Sequence, residues 1–231
     1  MITVSELTKK YGAQTVLNLP ELQIPKGESF GLVGNNGAGK TTFFSLLLDL
    51  IQPSTGGILN NGVEVQHSEA WKPFTAAFID ESFLIGYLTP EEYFYFIGEL
   101  RGQSRSDVDA LMGSFEDFFH GEILNQKKYL RDLSKGNQKK VGITATFIGN
   151  PEVVILDEPF ANLDPTTQIR LKGIIRELTQ NREVTALISS HDLVHFTEVC
   201  ERIVVLDKGE IVKDIQTSPE TLRELETFFA G

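Results

Sequence analysis

The sequence predicts an α/β fold with an N-terminal antiparallel β subdomain, a phosphate-loop core and a helical insert. Three observations predict it. Strand-like apolar runs alternate with helical patterns toward both ends of the chain. A glycine-rich loop stands between one such run and a helix. Between Thr89 and Asn150 the apolar spacing becomes helical, then returns to strand character.

The 231 residues are 41% hydrophobic and 23% charged, enough apolar chain for a sizeable core, which excludes a disordered or collagen-like protein. With 21 Lys+Arg against 32 Asp+Glu the net charge is −11, so the long-range field repels phosphate polymers and no nucleic-acid partner is expected. A nest of backbone N–H groups can still hold a phosphate at contact distance. Cys200 stands alone and has no internal disulfide partner, which fits a reduced intracellular compartment. Apolar runs such as Val153 to Leu156 fall far below the roughly 20 residues of a spanning helix. The first residues have neither a basic segment nor an apolar one, so no signal peptide is expected. Any link to a membrane is expected to run through a partner.

The elements follow in order. Ile2 and Val4 alternate with polar residues, Tyr11-Gly12 interrupts, and Thr15 to Leu17 and Leu22 to Ile24 read as further short strands. Pro25-Lys26-Gly27 is a turn before a strand at Ser29 to Val33. The apolar stretch Phe43 to Ile51 predicts a buried helix, stopped by Pro53 and Gly56-Gly57, and strands resume around the turn Asn60-Asn61-Gly62. Thr89-Pro90-Glu91-Glu92 predicts a helix start, with Thr as cap, Pro first, and Glu reaching back. A second helix is expected from Asp107 through Phe119 and a third from after Asn137 to Asn150. Strands are expected at Val153 to Leu156, Val184 to Ser189 and Ile203 to Leu206, and helices at Asp164-Pro165 and Ser218-Pro219. Residues 1–80 and 151–231 form the expected core, and 81–150 the helical subdomain. Tyr93 to Phe96 read first as subdomain core and second as the lining of a partner groove. Phe228-Phe229 is expected to dock the last helix, and His67 and Trp71 have no functional reading.

Gly34-Asn35-Asn36-Gly37-Ala38-Gly39-Lys40-Thr41-Thr42 contains the full P-loop pattern, with a strand before it and a helix after it. Glycines let consecutive N–H groups curl around phosphate oxygens, and the helix N-terminus adds partial positive charge. Lys40 supplies a full charge to the terminal phosphates, and the Thr41 hydroxyl is a candidate Mg²⁺ ligand. The run Val153 to Leu156 ends in Asp157-Glu158, at the strand end where ligands sit in open α/β sheets. Asp157 is the second candidate for Mg²⁺, and Glu158 is the candidate general base for the attacking water. The core is thus read as a P-loop NTPase.

Further segments narrow the class. Leu133-Ser134-Lys135-Gly136-Asn137-Gln138 resembles the ABC signature, Ala161-Asn162-Leu163-Asp164 the D-loop, and Ser189-Ser190-His191-Asp192 the switch histidine segment. Tyr11 sits where that family places its adenine-stacking aromatic. The chain resembles the nucleotide-binding subunit of an ABC transporter. No Asn-Lys-x-Asp segment reads guanine, which disfavours a GTPase.

The resemblance implies a head-to-tail dimer enclosing two ATP molecules with Mg²⁺. Each ATP lies between the P-loop of one subunit and Ser134, Gly136 and Asn137 of the other. His191 is implied to meet the γ-phosphate and orient water beside Glu158, and Asp164 to couple the two sites. Two departures stand out: Lys135 and Asn137 replace the usual Gly and Gln of the signature, and Glu81 aligns with the Q-loop Gln, with Asp80 competing for that place. A carboxylate there would bind Mg²⁺ strongly but bring negative charge toward the γ-phosphate.

An ATPase powering transport through a separate membrane-spanning subunit, at the inner face of the cell membrane, is the implied function. The signature and the short chain resemble export-type two-part systems. The alternative is a soluble ABC ATPase that loads or remodels a protein complex, as in iron–sulfur cluster assembly. A nucleotide sensor without turnover is disfavoured because Glu158 and His191 are both present.

Overall fold

The structure, a computed structural model, describes residues 1–180 and 184–230. Its strands are β1 (Ile2–Tyr11), β2 (Gln14–Ile24), β3 (Ser29–Val33), β4 (Thr55–Asn60), β5 (Val63–Glu64), β6 (Thr75–Phe78), β7 (Val153–Leu156), β8 (Thr185–Ser190), β9 (Arg202–Asp207) and β10 (Glu210–Gln216). The α-helices are α1 (Lys40–Leu47), α2 (Pro90–Leu100), α3 (Arg105–Ser114), α4 (Glu116–Phe119), α5 (Lys135–Ala145), α6 (Pro165–Gln180), α7 (Leu193–Val199) and α8 (Thr221–Ala230).

Two sheets carry the core. One is antiparallel, in the order β2-β1-β4-β5. The other runs β10-β9-β3-β8-β7-β6, parallel throughout except for β10 at its edge. The inner strands β3, β8, β7 and the middle of β9 are buried on both faces because both faces are covered, whereas the edge strand β10 alternates exposed and half-buried residues. Val154 and Leu156 pack with the helices of the insert, while Val153 and Ile155 pack with α1 and the antiparallel sheet. Alternation along one short strand therefore feeds two cores.

The insert follows β6 and precedes β7. Thr89 caps α2 by the expected reciprocal bonds with Glu92. Ser104 and Asp107 repeat that box at α3, two residues before the expected start. The expected second helix is broken at Phe115, which closes α3 and opens α4, so that Phe115, Phe118 and Phe119 form one aromatic cluster with Phe94 and Phe147. Of the four aromatics on α2, Tyr93 and Phe94 are buried, Tyr95 is half-buried and Phe96 is exposed, so the core reading holds for the first two.

Other boundaries shift for local reasons. α1 stops at Leu47 rather than Ile51, because the chain turns left-handed at Asp49. The two short strands expected before Ile24 are one strand, β2, held along its length by β1. α5 begins at Lys135, not after Asn137, since Ser134 accepts the Asn137 N–H as its cap, and it ends at Ala145. After Ser218-Pro219 the helix starts at Thr221, whose hydroxyl takes the Ser218 N–H. Leu225 and Phe229 dock α8, whereas Phe228 faces outward under Lys213. Trp71 is buried and donates its indole N–H to the Val65 carbonyl. Asn61 and Gly62 both have positive φ, which suits the two-residue turn between β4 and β5.

Candidate functional site

Four parallel strands lying side by side, β3, β8, β7 and β6, release the candidate residues from their C-terminal ends. β3 leads into the glycine loop and α1, β8 into His191, β7 into Asp157 and Glu158, and β6 into Asp80 and Glu81. Sheet order thus gathers segments more than a hundred positions apart.

The loop wraps on glycine geometry. Gly37 and Gly39 have φ of +81° and +110°, which other residues rarely adopt. A side chain at Gly34 would lie 2.3 Å from the Leu206 carbonyl oxygen. Asn35, Asn36 and Gly37 are exposed, Ala38 is buried, and Thr42 is half-buried. The backbone N–H of Ala38 closes the turn onto Asn35, and Gly209 after β9 donates to the Ala38 carbonyl.

Lys40 is 7% exposed and donates to the Gly34 carbonyl at 2.6 Å, with Glu158 Oε1 3.8 Å away. Thr41 donates its hydroxyl to Asp157 Oδ2 at 2.7 Å, and Ser189 donates to the other carboxylate oxygen. Burial raises the Asp157 pKa; the hydrogen bonds from Ser189 and Thr41 and the Lys40 charge pull it back, while Glu158 adds to the rise. A buried carboxylate beside a hydroxyl is a hard oxygen donor set, and it fits a cation that keeps water and phosphate as its other ligands.

Glu158 is half-buried in the left-handed region, at φ +48°. Its N–H donates to Ser189 Oγ at 3.0 Å, and its Oε2 lies 2.8 Å from His191 Nδ1. His191 is exposed, so its ring has room on the open side. The structure therefore brings Lys40, Thr41, Asp157, Glu158 and His191 into one contiguous hydrogen-bonded and ionic cluster.

The remaining candidates lie around it. Tyr11 is 57% exposed at the end of the β1–β2 hairpin, with the Lys9 ammonium 4.9 Å over its ring. That same hairpin runs past Gly39 at Val16 and Leu17. Ser134 is exposed at the head of α5; its oxygen is used as a cap and its O–H stays free to donate outward. Gly136 packs so closely that a Cβ would meet the Asn162 carbonyl at 2.9 Å. Asp164 accepts from the N–H and hydroxyl of Thr167, and these bonds hold its carboxyl below the usual range.

Asp80 and Glu81 are told apart by their contacts. Asp80 caps the short turn after β6 by accepting the Ser82 N–H at 2.6 Å. Glu81 turns toward α5, 3.8 Å from Lys139 Nζ and 4.0 Å from Lys135 Nζ. Lys139 is a residue the sequence reading missed. It is 5% exposed and donates to the Glu158 carbonyl at 2.8 Å. Burial lowers its pKa, opposed by the charges of Glu81, Glu158 and Asp157. The signal was present as Lys139-Lys140, where α5 passes from its more exposed first turn into a stretch buried from Lys139 to Ala145, but a lysine pair reads as a solvated face.

A phosphate loop and an acidic strand end on a doubly covered parallel sheet define a P-loop nucleoside triphosphatase. The family model described as ABC transporter matches residues 17–161. The bacitracin transport ATP-binding protein of Enterococcus faecalis is 31% identical over 94% of this chain and 70% of its own length. A solved ATP-binding subunit of an ABC transporter superposes with a TM-score of 0.86 at 26% identity, covering 100% of this chain and 95% of that one. A dimeric ATP-binding cassette bound to ADP and Pi shares the fold, with a TM-score of 0.84 at 21% identity over 94% of this chain and 99% of that one. The chain belongs to the ABC transporter family, and it is an ATPase of ATP-powered transport.

Proposed function

We propose that this protein is the ATPase subunit of an export system, working on Mg-ATP beneath a separate membrane-spanning subunit at the inner face of the cell membrane. Residues 1–80 and 151–231 act as the nucleotide-binding core and 81–150 as the helical subdomain. Two subunits meet head to tail; that cassettes of this fold pair at all is supported by the dimeric neighbour bound to ADP and Pi. The adenine stacks on Tyr11, and the N–H groups of Gly34 to Thr42 with Lys40 hold the phosphates. Ser134 and Gly136 of the opposite subunit donate to the γ-phosphate, with Asn137 at the rim.

Thr41 and Asp157 would hold the divalent cation, with Glu81 as a further candidate oxygen donor; when bound, the cation would neutralise phosphate charge. Glu158 takes a proton from water. The water oxygen bonds to the γ-phosphorus as the bond to the ADP oxygen breaks, and ADP and phosphate leave. His191, already paired with Glu158, orients the water and meets the γ-phosphate. Asp164, fixed by Thr167, couples the two sites across the interface.

The observation that carries the partner is an apolar groove of about 370 Å³ between the end of α1, β6, α2 and α5. Leu50, Phe83 and Leu100 on its wall are 49%, 57% and 69% exposed, a cluster suited to an amphipathic helix from a partner. Export is proposed on the resemblance of Leu133-Ser134-Lys135-Gly136 to export-type subunits.

Tagged protein from detergent-solubilised source cells tests this reading. A stoichiometric partner with several spanning helices is expected, lost with Leu50→Asp and Leu100→Asp while the free ATPase still turns over. Recovery of soluble assembly proteins alone would overturn it in favour of the remodelling ATPase.

A further inference from the structure

Glu158 sits in a backbone conformation that side chains rarely adopt, at φ +48°. Such a conformation is costly and persists only where its surroundings hold it. The holding groups are identifiable. On one side Ser189 Oγ accepts the Glu158 N–H at 3.0 Å. On the other the Glu158 carbonyl accepts from the Ala161 N–H at 3.3 Å and from Lys139 Nζ at 2.8 Å. Ser189 and Ala161 belong to the same core as Glu158; Lys139 comes from α5, in the helical insert.

Packing alone does not account for a lysine here. At 5% exposure, a leucine or methionine would fill the space without the desolvation that an ammonium suffers. Its charge is matched by Glu81, 3.8 Å away, on the segment that follows β6. The same carboxylate lies 4.0 Å from Lys135, one turn earlier on α5 and inside the signature. One side chain therefore joins three segments: the peptide of Glu158, the Glu81 turn and the helix headed by Ser134.

We propose that Lys139 is a positioning residue for hydrolysis, its ammonium fastening the Glu158 carbonyl to the signature helix of the same subunit. The inference rests on the reading of Glu158 as the general base. Its consequence reaches across the dimer. Glu158 serves the ATP on its own P-loop, whereas Ser134 and Gly136 serve the ATP on the partner's. A tie between them sets the direction of the carboxylate by the placement of the signature helix, so docking at one nucleotide registers the base at the other.

The test is steady-state turnover of the full chain with Mg-ATP. Lys139→Met keeps the aliphatic stem and removes the donor; kcat is expected to fall at least about tenfold, with KM for ATP within about twofold, and Lys139→Arg to restore most of the rate. In a Glu158→Gln background the Met change is expected to add nothing, because it acts through that residue. A Lys139→Met enzyme with parental kcat, or a loss that multiplies onto Glu158→Gln, would overturn the proposal. If the Met variant does not fold, Lys139→Gln serves instead: its amide is one bond too short, so kcat falls at constant KM, and parental kcat again refutes. Full turnover by Glu158→Gln alone would instead defeat the base assignment, a distinguishable result.

Discussion

Replacing Lys40 by alanine removes the cation proposed to face the terminal phosphates and leaves the rest of the loop in place. The side chain is 7% exposed, donates to the Gly34 carbonyl at 2.6 Å, and stands 3.8 Å from Glu158. Two effects add. The phosphates lose a desolvated charge partner, and Glu158 and Asp157 are left facing them with less positive charge between. Truncating one member of a buried hydrogen-bonded charge pair costs about 2–5 kcal/mol. At about 1.4 kcal/mol per decade, that weakens ATP binding by roughly 30-fold to several thousand-fold. Equilibrium titration with ATP reads the affinity, and a melting curve without nucleotide checks that the variant is folded. Affinity within threefold of the parent, in a folded variant, would refute the reasoning, because no other side-chain ammonium lies within hydrogen-bonding reach of the Gly34 carbonyl among the described residues.

Three other outcomes are expected. Glu158→Gln keeps an acceptor for His191 but removes the proposed base, so turnover should fall about 10²- to 10⁴-fold with ATP affinity unchanged, as phosphate-release and titration assays will read. Glu81→Gln should preserve or raise turnover, since the amide restores a neutral oxygen donor and Lys139 keeps its bond to the Glu158 carbonyl; a loss as large as that of Glu158→Gln would show that Glu81 does not hold the Q-loop place. Gly142→Val places a side chain against the Phe78 ring, where a Cβ would already lie 2.2 Å away. Such overpacking of α5 on β6 should lower stability by about 1–3 kcal/mol in denaturant melts.

How much was legible follows from how each feature is encoded. The phosphate loop, the acidic strand end and the capping box at Thr89 are local: each needs residues only a few positions apart, so each reads directly from the chain. β10 escaped because its alternation is weak and its support comes from pairing with β9, which no local pattern reports. β6 was hidden in Thr75 to Phe78, too short to separate from a loop without its parallel neighbour β7. Helix ends shifted where a cap residue outranked the apolar period, as at Ser134, or where a left-handed residue cut it, as at Asp49. The different settings of Asp80 and Glu81 were likewise invisible in the chain, since neighbouring side chains diverge, one to cap a turn and the other to face α5. Lys139 was illegible for the same reason. Its meaning lies in a carbonyl nineteen positions away that the fold brings to it.

The measurement that tests the account most directly is the mass of the Glu158→Gln protein by light scattering, with and without excess Mg-ATP. In the proposed dimer the γ-phosphate lies between Lys40 of one subunit and Ser134 of the other, and hydrolysis is what releases that grip. A slowed enzyme should therefore shift from the 25.7 kDa of one chain to twice that mass when Mg-ATP is added, and stay monomeric with Mg-ADP. A single-chain mass under both conditions, in protein that binds ATP, would contradict the shared site.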